Sequence, residues 1–246
     1  MALIHSFEKS GNTLFQYRGQ IPTLLFLLAI PIIYFTDYTV IPQKICDLLT
    51  IIAVMLSILG FYIRAYTIGT TPKGTSGRNR KEQVAERLNV SGIYSILRHP
   101  LYLGNYPIWA GIVVFTFNIW FFLLFSLLYW LYYERIMFAE ERFLEKKFGD
   151  IYVEWSLKVP AFIPAFKHFV KNDVPFSFKS ILRREYSGAF ASAFGFAFVD
   201  LIRNYFINHS FEWQRISVYT VAFFALISLI LRTLKHKNLL NEEGRS

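Results

Sequence analysis

The fold is decided by the stretch from Arg98 to Glu141, which reads RHPLYLGNYPIWAGIVVFTFNIWFFLLFSLLYWLYYERIMFAEE. Two apolar runs, 100–117 and 119–138, are separated there by Asn118. Proline favours the first turn of a helix because its φ angle is fixed and it has no N–H group to leave unpaired. Asparagine is a common turn residue. The stretch therefore predicts a helical hairpin with a basic pair at its entrance.

The composition places the chain among membrane proteins. Of its 246 residues, 54% are hydrophobic and 19% aromatic, which is too apolar for a soluble domain of this length. A helix needs about twenty apolar residues to cross the hydrocarbon layer. We therefore predict an all-α fold, a polytopic membrane helical bundle of about six transmembrane helices. The six candidate runs are 21–36, 46–68, 100–117, 119–138, 187–207 and 216–233.

The charge pattern predicts the orientation of this bundle. The formal net charge is +9, and the Lys and Arg residues are concentrated in two blocks, 73–87 and 135–184. Cytoplasmic loops carry such an excess because they face an anionic leaflet. With an even number of crossings, both termini of this multi-pass protein are expected on the cytosolic side. The pattern also excludes nucleic acid as a partner and makes the membrane the expected one.

Two further features of the sequence narrow the chemistry. Arg78, Arg80 and Lys81 lie in a glycine-rich loop, where they either hold an anionic headgroup or are simply solvated. Cys46 is the only cysteine, so no intrachain disulfide and no cysteine-based metal site is expected. We also expect the first apolar run to be retained, because no small-residue cleavage site follows it.

We predict one membrane domain, 1–246, with a core at 1–165. Residues 166–246 would then form a cytosolic connection and a C-terminal helix pair. The first helix of that pair is rich in small residues, which suggests close helix packing. The pair either shapes a ligand site or only packs against the core, and packing is favoured.

The hairpin brings opposite charges to one depth. If the turn is at Asn118, His99 lies level with Met137, because both helices rise about 1.5 Å per residue. Glu140 and Glu141 then lie about one turn beyond the bilayer edge, close to the basic pair. This arrangement suits a zwitterionic ligand. The cations of the protein would hold the carboxylate of the ligand, and the two glutamates would accept from its ammonium or hydroxyl groups. The alternatives are an ion-pair cluster that orients the two helices, and basic side chains that snorkel to lipid headgroups.

Two motifs in this region resemble a known family of membrane enzymes. The segments GIYSILRHPLYLGN, at 92–105, and AEERFLEKKFGDIYVEWSLKVPAFIP, at 139–164, flank the hairpin. Their RHP-x-Y-x-G pattern, paired glutamates, FG-x-x-Y and closing VP resemble the isoprenylcysteine carboxyl methyltransferase and phospholipid methyltransferase superfamily, over about 90–164. The resemblance implies a small helical methyltransferase core with a cytosolic cofactor pocket for S-adenosylmethionine. No G-x-G-x-x-G fingerprint follows a strand, as expected for a site without a Rossmann sheet.

The resemblance also implies which residues form the site. Catalytic roles fall on Arg98 and Glu141. Gly104 either allows close approach of the cofactor or packs against another helix, and Arg64 either snorkels or reaches into the cavity. The cofactor-binding candidates are Tyr94, Arg98, His99, Pro100, Tyr102, Gly104, Glu140 and Glu141, and the substrate-binding candidates are Arg64, Arg135, Trp155 and Lys158.

The acceptor of the methyl group stays open at this point. A carboxylate or phosphate is already anionic and needs a cation to position it, whereas an ammonium group must first lose a proton to a base. The surplus of arginines favours O-methylation of an anionic group on a lipid or lipidated substrate. The alternatives are N-methylation of a phospholipid amine headgroup, and a non-enzymatic membrane anchor or transporter subunit.

Overall fold

The computed structural model describes residues 2–20, 23–75 and 83–245. Over these ranges the chain is helical and contains no β-strand. The headgroup site predicted at Arg78, Arg80 and Lys81 lies outside the described residues. The eight α-helices are α1 (Leu3–Gln16), α2 (Leu24–Phe35), α3 (Gln43–Gly69), α4 (Pro100–Val114), α5 (Ile119–Phe148), α6 (Asp150–Lys158), α7 (Phe178–Asn208) and α8 (Ile216–His236).

Helices α4 and α5 form the predicted hairpin. Pro100 is the first residue of α4. At the turn, the backbone of Phe117 adopts a positive φ of 61°, and the side chain of Asn118 accepts a hydrogen bond from the Phe121 backbone N–H at 2.9 Å. That bond satisfies one of the free N–H groups at the start of α5. The hairpin and the position of its turn are therefore confirmed.

The predicted count of six transmembrane helices is not confirmed. Among the described residues, four helices are long and apolar enough to cross a membrane, namely α3, α5, α7 and α8. Helix α2 has 12 residues and α4 has 15. At about 1.5 Å per residue these two helices are only about 18 and 22 Å long, less than the roughly 30 Å of hydrocarbon.

The turns between the helices meet at one end of the bundle, which we call the distal end. The Tyr38 hydroxyl, between α2 and α3, donates to the Thr116 carbonyl at 3.2 Å. Asn118 donates from its side chain to Thr36 at 2.9 Å, and Arg203 of α7 donates to the Phe115 carbonyl at 2.7 Å. The short helices α2 and α4 therefore run alongside the longer ones, in an up-and-down arrangement.

The opposite end carries two segments that the sequence analysis did not predict as packed elements. Helix α1 lies along α5, so that a Cβ on Gly11 would lie 2.1 Å from the Arg135 carbonyl oxygen. The segment after α8 reaches the end of α3, where the Lys73 backbone N–H donates to the Gly244 carbonyl at 2.9 Å. Residues near both termini thus lie at the same end of the bundle.

The predicted connection before the C-terminal pair is shorter than expected. Helix α7 begins at Phe178, nine residues before the apolar run at 187–207, because the Ser177 side chain accepts from the Ser180 N–H and caps it. The first turns of α7 are polar and include Arg184 and Glu185. These charged residues are therefore held on a helix, rather than in a loop.

Candidate active site

The start of α4 and the later turns of α5 form a compact hydrogen-bonded network. His99 Nε2 lies 2.8 Å from Glu141 Oε1, and His99 Nδ1 lies 3.5 Å from Glu140 Oε2. The Tyr102 hydroxyl donates to Glu140 Oε1 at 2.5 Å. One imidazole thus bridges the two adjacent carboxylates, at the depth that the hairpin geometry predicts.

Arg98 ties this network to the segment that follows α5. Its Nη1 donates to the Ser156 carbonyl at 2.9 Å, and its backbone N–H donates to the Pro160 carbonyl at 3.0 Å. Its Nε lies 3.1 Å from Glu141 Oε1, an ion pair that lacks hydrogen-bond geometry. Helix α6 and the chain after it therefore hold the guanidinium in place beside the carboxylates.

The charge state of His99 follows from its surroundings. Burial disfavours the charged imidazolium, but hydrogen bonds to Glu140 and Glu141 favour it more strongly, so the pKa of His99 is raised above its usual 6.5. Its side chain is 6% exposed. The network therefore favours a cationic histidine between two carboxylates.

A cavity of about 560 Å³ opens beside this network. Its walls come from α3, α4, α5 and α7, together with the segments that follow α1 and precede α4. The polar and charged residues of the lining include Arg18, Arg64, Tyr94, Arg98, His99, Tyr102, Asn105, Tyr133, Glu140, Arg184 and Glu185.

A second charged network lies in the wall of the same cavity. Arg64 of α3 makes a two-pronged contact with Glu185 of α7, from Nε to Oε2 and from Nη2 to Oε1, each at 2.7 Å. Arg64 Nη1 also donates to the side-chain oxygen Oδ1 of Asn105 at 2.6 Å. Asn105 in turn donates to the Tyr133 hydroxyl at 3.1 Å. This network joins α3, α4, α5 and α7.

Most of the predicted cofactor-binding residues come together here. Glu141 contacts His99 and Arg98 and is absent from the cavity lining, so it supports them from behind. The predicted Arg64 does reach the cavity. The lining contains Tyr94, Arg98, His99, Pro100, Tyr102 and Glu140.

Besides Glu141, four predicted site residues do not line the cavity, and the first of these is Gly104. A Cβ at Gly104 would lie 2.6 Å from Arg64 Cγ and 3.0 Å from the Gly60 carbonyl oxygen. This glycine therefore allows α3 and α4 to pack closely, which was the alternative considered from sequence. Its predicted contact with the cofactor is not supported by its position.

The other three are predicted substrate-binding residues. The Arg135 guanidinium lies 3.3 Å from the ring centroid of Phe7, under α1. Trp155 packs on Tyr152, with ring centroids 5.7 Å apart, and Lys158 is exposed at the end of α6. Arg135 and Lys158 were predicted to bind substrate because each is a cation near the expected bilayer edge. Helices α1 and α6 hold these side chains away from the cavity.

Sequence reasoning missed Arg18, Arg184 and Glu185 as lining residues. Arg184 and Glu185 lie on α7, so this helix forms part of the cavity wall. Whether α7 shapes a ligand site in addition to packing therefore stays a prediction. A pattern at helical spacing was available, since Glu185, Gly188 and Ser192 recur at intervals of three and four residues and all line the cavity.

The residues present fit a zwitterionic cofactor. Cationic Arg98 and His99 stand beside the carboxylate of Glu140, and all three line the cavity. The volume also falls within the roughly 300–1,000 Å³ usual for small-molecule sites.

Fold and site together define a helical membrane-type protein with a charged pocket at one end of a hairpin. Comparison with known proteins makes the class more specific. Residues 48–151 match the family model described as phospholipid methyltransferase. That range runs from within α3 to the start of α6, so it begins earlier than the resemblance seen in the motifs. Residues 48–151 are therefore similar to the phospholipid methyltransferase family, and the resemblance predicted from the motifs is confirmed.

Curated relatives agree with this assignment. The chain is 34% identical over 115 residues to a protein-S-isoprenylcysteine O-methyltransferase of Schizosaccharomyces pombe, covering 44% of this chain and 48% of the relative. It is 34% identical over 110 residues to protein-S-isoprenylcysteine O-methyltransferase B of Arabidopsis thaliana, covering 44% and 55%. The corresponding Saccharomyces cerevisiae protein is 29% identical over 122 residues, covering 49% and 50%. The chain spans about half the length of these relatives. No solved structure matches it.

Proposed function

We propose that this chain is an integral membrane methyltransferase that uses S-adenosylmethionine to O-methylate an anionic group, a carboxylate or a phosphate, on a lipid-anchored substrate. The observation that carries the proposal is the network of Arg98, His99 and Glu140 at a cavity. This network lies inside the segment shared with relatives that are named O-methyltransferases.

The donor would be held by the residues at the start of α4. Arg98 and His99 suit the carboxylate of the donor, since charge-assisted hydrogen bonds are the strongest kind available to it. Glu140 suits an ammonium group or ribose hydroxyls, and Tyr102 fixes the rotamer of Glu140 through its 2.5 Å hydrogen bond. When bound, the donor supplies a methyl group activated by its sulfonium. The work of the protein is then to align the acceptor and exclude water.

The charge of the cavity favours an anionic acceptor. Its lining holds four arginines, Arg18, Arg64, Arg98 and Arg184, against the two glutamates Glu140 and Glu185. A carboxylate or phosphate needs no base, because it is already nucleophilic at neutral pH. An amine acceptor would need a base to remove its proton, and Glu140, which accepts from Tyr102, is already engaged. The names of the relatives point to a prenylated cysteine as one such acceptor.

One observation favours a second candidate function. The matching family model is described as phospholipid methyltransferase, which makes a phospholipid, including its amine headgroup, the alternative acceptor. A non-enzymatic anchor is the remaining alternative, and it predicts no transfer to any acceptor.

The proposed location follows from charge and packing. Four helices have the length and composition of membrane spans, and the cavity lies at the end of the bundle that carries the basic blocks. We propose that this end, with both termini, faces the cytosol, as expected for an excess of Lys and Arg. Protease protection of tags at the two termini tests this orientation.

The test of function is transfer of an isotopically labelled methyl group by detergent-solubilised protein to a panel of acceptors. The panel contains a prenylcysteine with a free carboxylate, a lipid phosphate and phosphatidylethanolamine, and mass spectrometry identifies each product. We expect a methyl ester of the carboxylate or phosphate. Transfer to the amine alone would overturn O-methylation and leave the methyltransferase proposal intact. No transfer, with no donor binding, would overturn both.

A further inference from the structure

The ion pair between Arg64 and Glu185 joins two parts of the molecule with different relationships to known proteins. Arg64 lies inside the segment that matches the methyltransferase family model, whereas Glu185 lies outside it, on α7. The pair is largely withdrawn from solvent, with the Arg64 side chain 20% exposed and that of Glu185 9% exposed. A helix beyond the shared segment therefore contributes a buried charge to the cavity wall.

The two-pronged contact fixes the guanidinium of Arg64. Two of its five N–H groups point to Glu185 and a third points to Asn105. Because the side-chain oxygen Oδ1 of Asn105 accepts from Arg64, the side-chain nitrogen Nδ2 of Asn105 is directed to the Tyr133 hydroxyl. Arg64, held by the carboxylate on α7, thereby fixes the orientation of the Asn105 side-chain amide.

The wall reaches the proposed donor site through aromatic rings. The ring of Tyr133 lies 4.7 Å from that of Tyr102, centroid to centroid. Tyr102 is the residue that donates to Glu140, and the Tyr129 hydroxyl donates to the Tyr102 carbonyl at 2.6 Å. The wall formed by Arg64, Asn105 and Tyr133 therefore ends against Tyr102, at the edge of the proposed donor site.

We propose that Glu185 is a positioning residue for methyl transfer, which fixes Arg64 and Asn105 in the cavity wall and thereby aligns the acceptor against the donor. This inference rests on the proposed function. The proposal gives α7 a part in turnover. Arg64 is then not one of the cations that bind the acceptor directly, because the charge of Arg64 is already balanced by Glu185.

The first test compares Glu185→Gln with the matched exposed control Glu243→Gln. The amide cannot accept both N–H groups of Arg64, so we expect kcat to fall about tenfold or more, as small displacements in a site commonly do. The dissociation constant of S-adenosylmethionine should stay within about twofold of wild type, since Arg98, His99 and Glu140 are unchanged. The control should retain wild-type turnover.

A second variant separates positioning from structural support. In Arg64→Met with Glu185→Met, apolar side chains of similar length replace the pair, a change that buried ion pairs often tolerate without loss of stability. We expect this double variant to melt near the wild-type temperature and to keep the low kcat. Recovery of wild-type kcat in the double variant, or no change in Glu185→Gln, would overturn the inference while wild-type transfer still supports the proposed function. Failure of the wild type to transfer to any acceptor would instead overturn the proposed function and this inference with it.

Discussion

Helix α7 carries a buried carboxylate near each of its ends, and the two differ in what surrounds them. Near the distal end, Asp200 accepts from Arg215 through both oxygens, at 2.7 and 3.0 Å, and also from Ser217 at 2.6 Å. Asp200 is absent from the cavity lining. Glu185 makes an equally short contact with one arginine, but it lines a cavity.

This difference separates a structural ion cluster from a candidate site. The Asp200 cluster joins α7 to the start of α8. Arg203 extends this cluster to the α4–α5 turn by donating to the Phe115 carbonyl. Its groups satisfy one another. The Glu185 network instead leads through Asn105 and Tyr133 toward the proposed donor site. Charge burial alone therefore does not mark a site, whereas charge burial beside a cavity does.

The largest effect on activity is expected at neither carboxylate of α7 but at Arg98. Replacing Arg98 with Ala removes a guanidinium that pairs with Glu141 and lines the cavity. Loss of a charged hydrogen bond costs about 1.5–3 kcal/mol, so we expect kcat/KM to fall by about 10- to 100-fold. Steady-state transfer assays measure this directly. Arg98→Lys should recover only part of the activity, because a point charge replaces a planar fork.

Asp200→Asn is expected to give the largest loss of stability. It leaves Arg203 without its counter-charge and Arg215 paired with Glu212 alone, and breaking a buried pair costs about 3–5 kcal/mol. Thermal unfolding in detergent measures the loss. The protein that remains folded should bind S-adenosylmethionine normally. Weak binding by folded Asp200→Asn would contradict the separation of the two clusters.

Gly188→Leu tests whether α7 borders the acceptor. A Cβ at Gly188 meets nothing closer than Phe61 Cε1 at 3.8 Å, so Gly188→Ala should behave like wild type. A leucine side chain would project further into the cavity that Gly188 lines. We expect the KM of the acceptor to rise by about tenfold, which corresponds to roughly 1.4 kcal/mol. Donor affinity should be unchanged. An equal loss of donor binding would show that α7 borders the donor and not the acceptor.

A smaller effect is expected from pH. Because the pKa of His99 is raised in the folded protein, its contribution to stability is fully present below the unfolded value of 6.5. That contribution is lost as the pH rises through the raised folded pKa. Melting temperatures should therefore fall above pH 6.5 in wild type, and His99→Gln should flatten this slope. An equal slope in both proteins would show that another group is responsible.

The hairpin and much of the charged network at the start of α4 could be predicted from the sequence, because these features are local. Pro100 and Asn118 mark the helix start and the turn. The rise per residue then places His99 near Glu140 and Glu141. Which residues of the two hairpin helices lie at the same depth follows from the helix geometry alone.

The rest of the site could not be predicted because it depends on contacts between distant elements. Arg64 meets Glu185 across 121 residues of sequence, and no periodic pattern states which helix lies beside α3. Arg135 looked available for a substrate, but α1 places the Phe7 ring against it. Gly104 fits either a ligand or a helix, and only the close approach of Gly60 decides between them.

Calorimetric titration of S-adenosylmethionine tests the proposed donor site most directly. The proteins compared are wild type, Arg98→Ala, His99→Ala, Glu141→Ala and the distal control Arg203→Ala. The central claim is that the start of α4 and Glu140 of α5 bind the donor, while Glu141 holds Arg98 and His99 in place. We therefore expect saturable binding in wild type, about tenfold or greater weakening in the first three variants, and wild-type affinity in Arg203→Ala. Equal affinity in all four variants would contradict the claim, as would an absence of binding in the wild type.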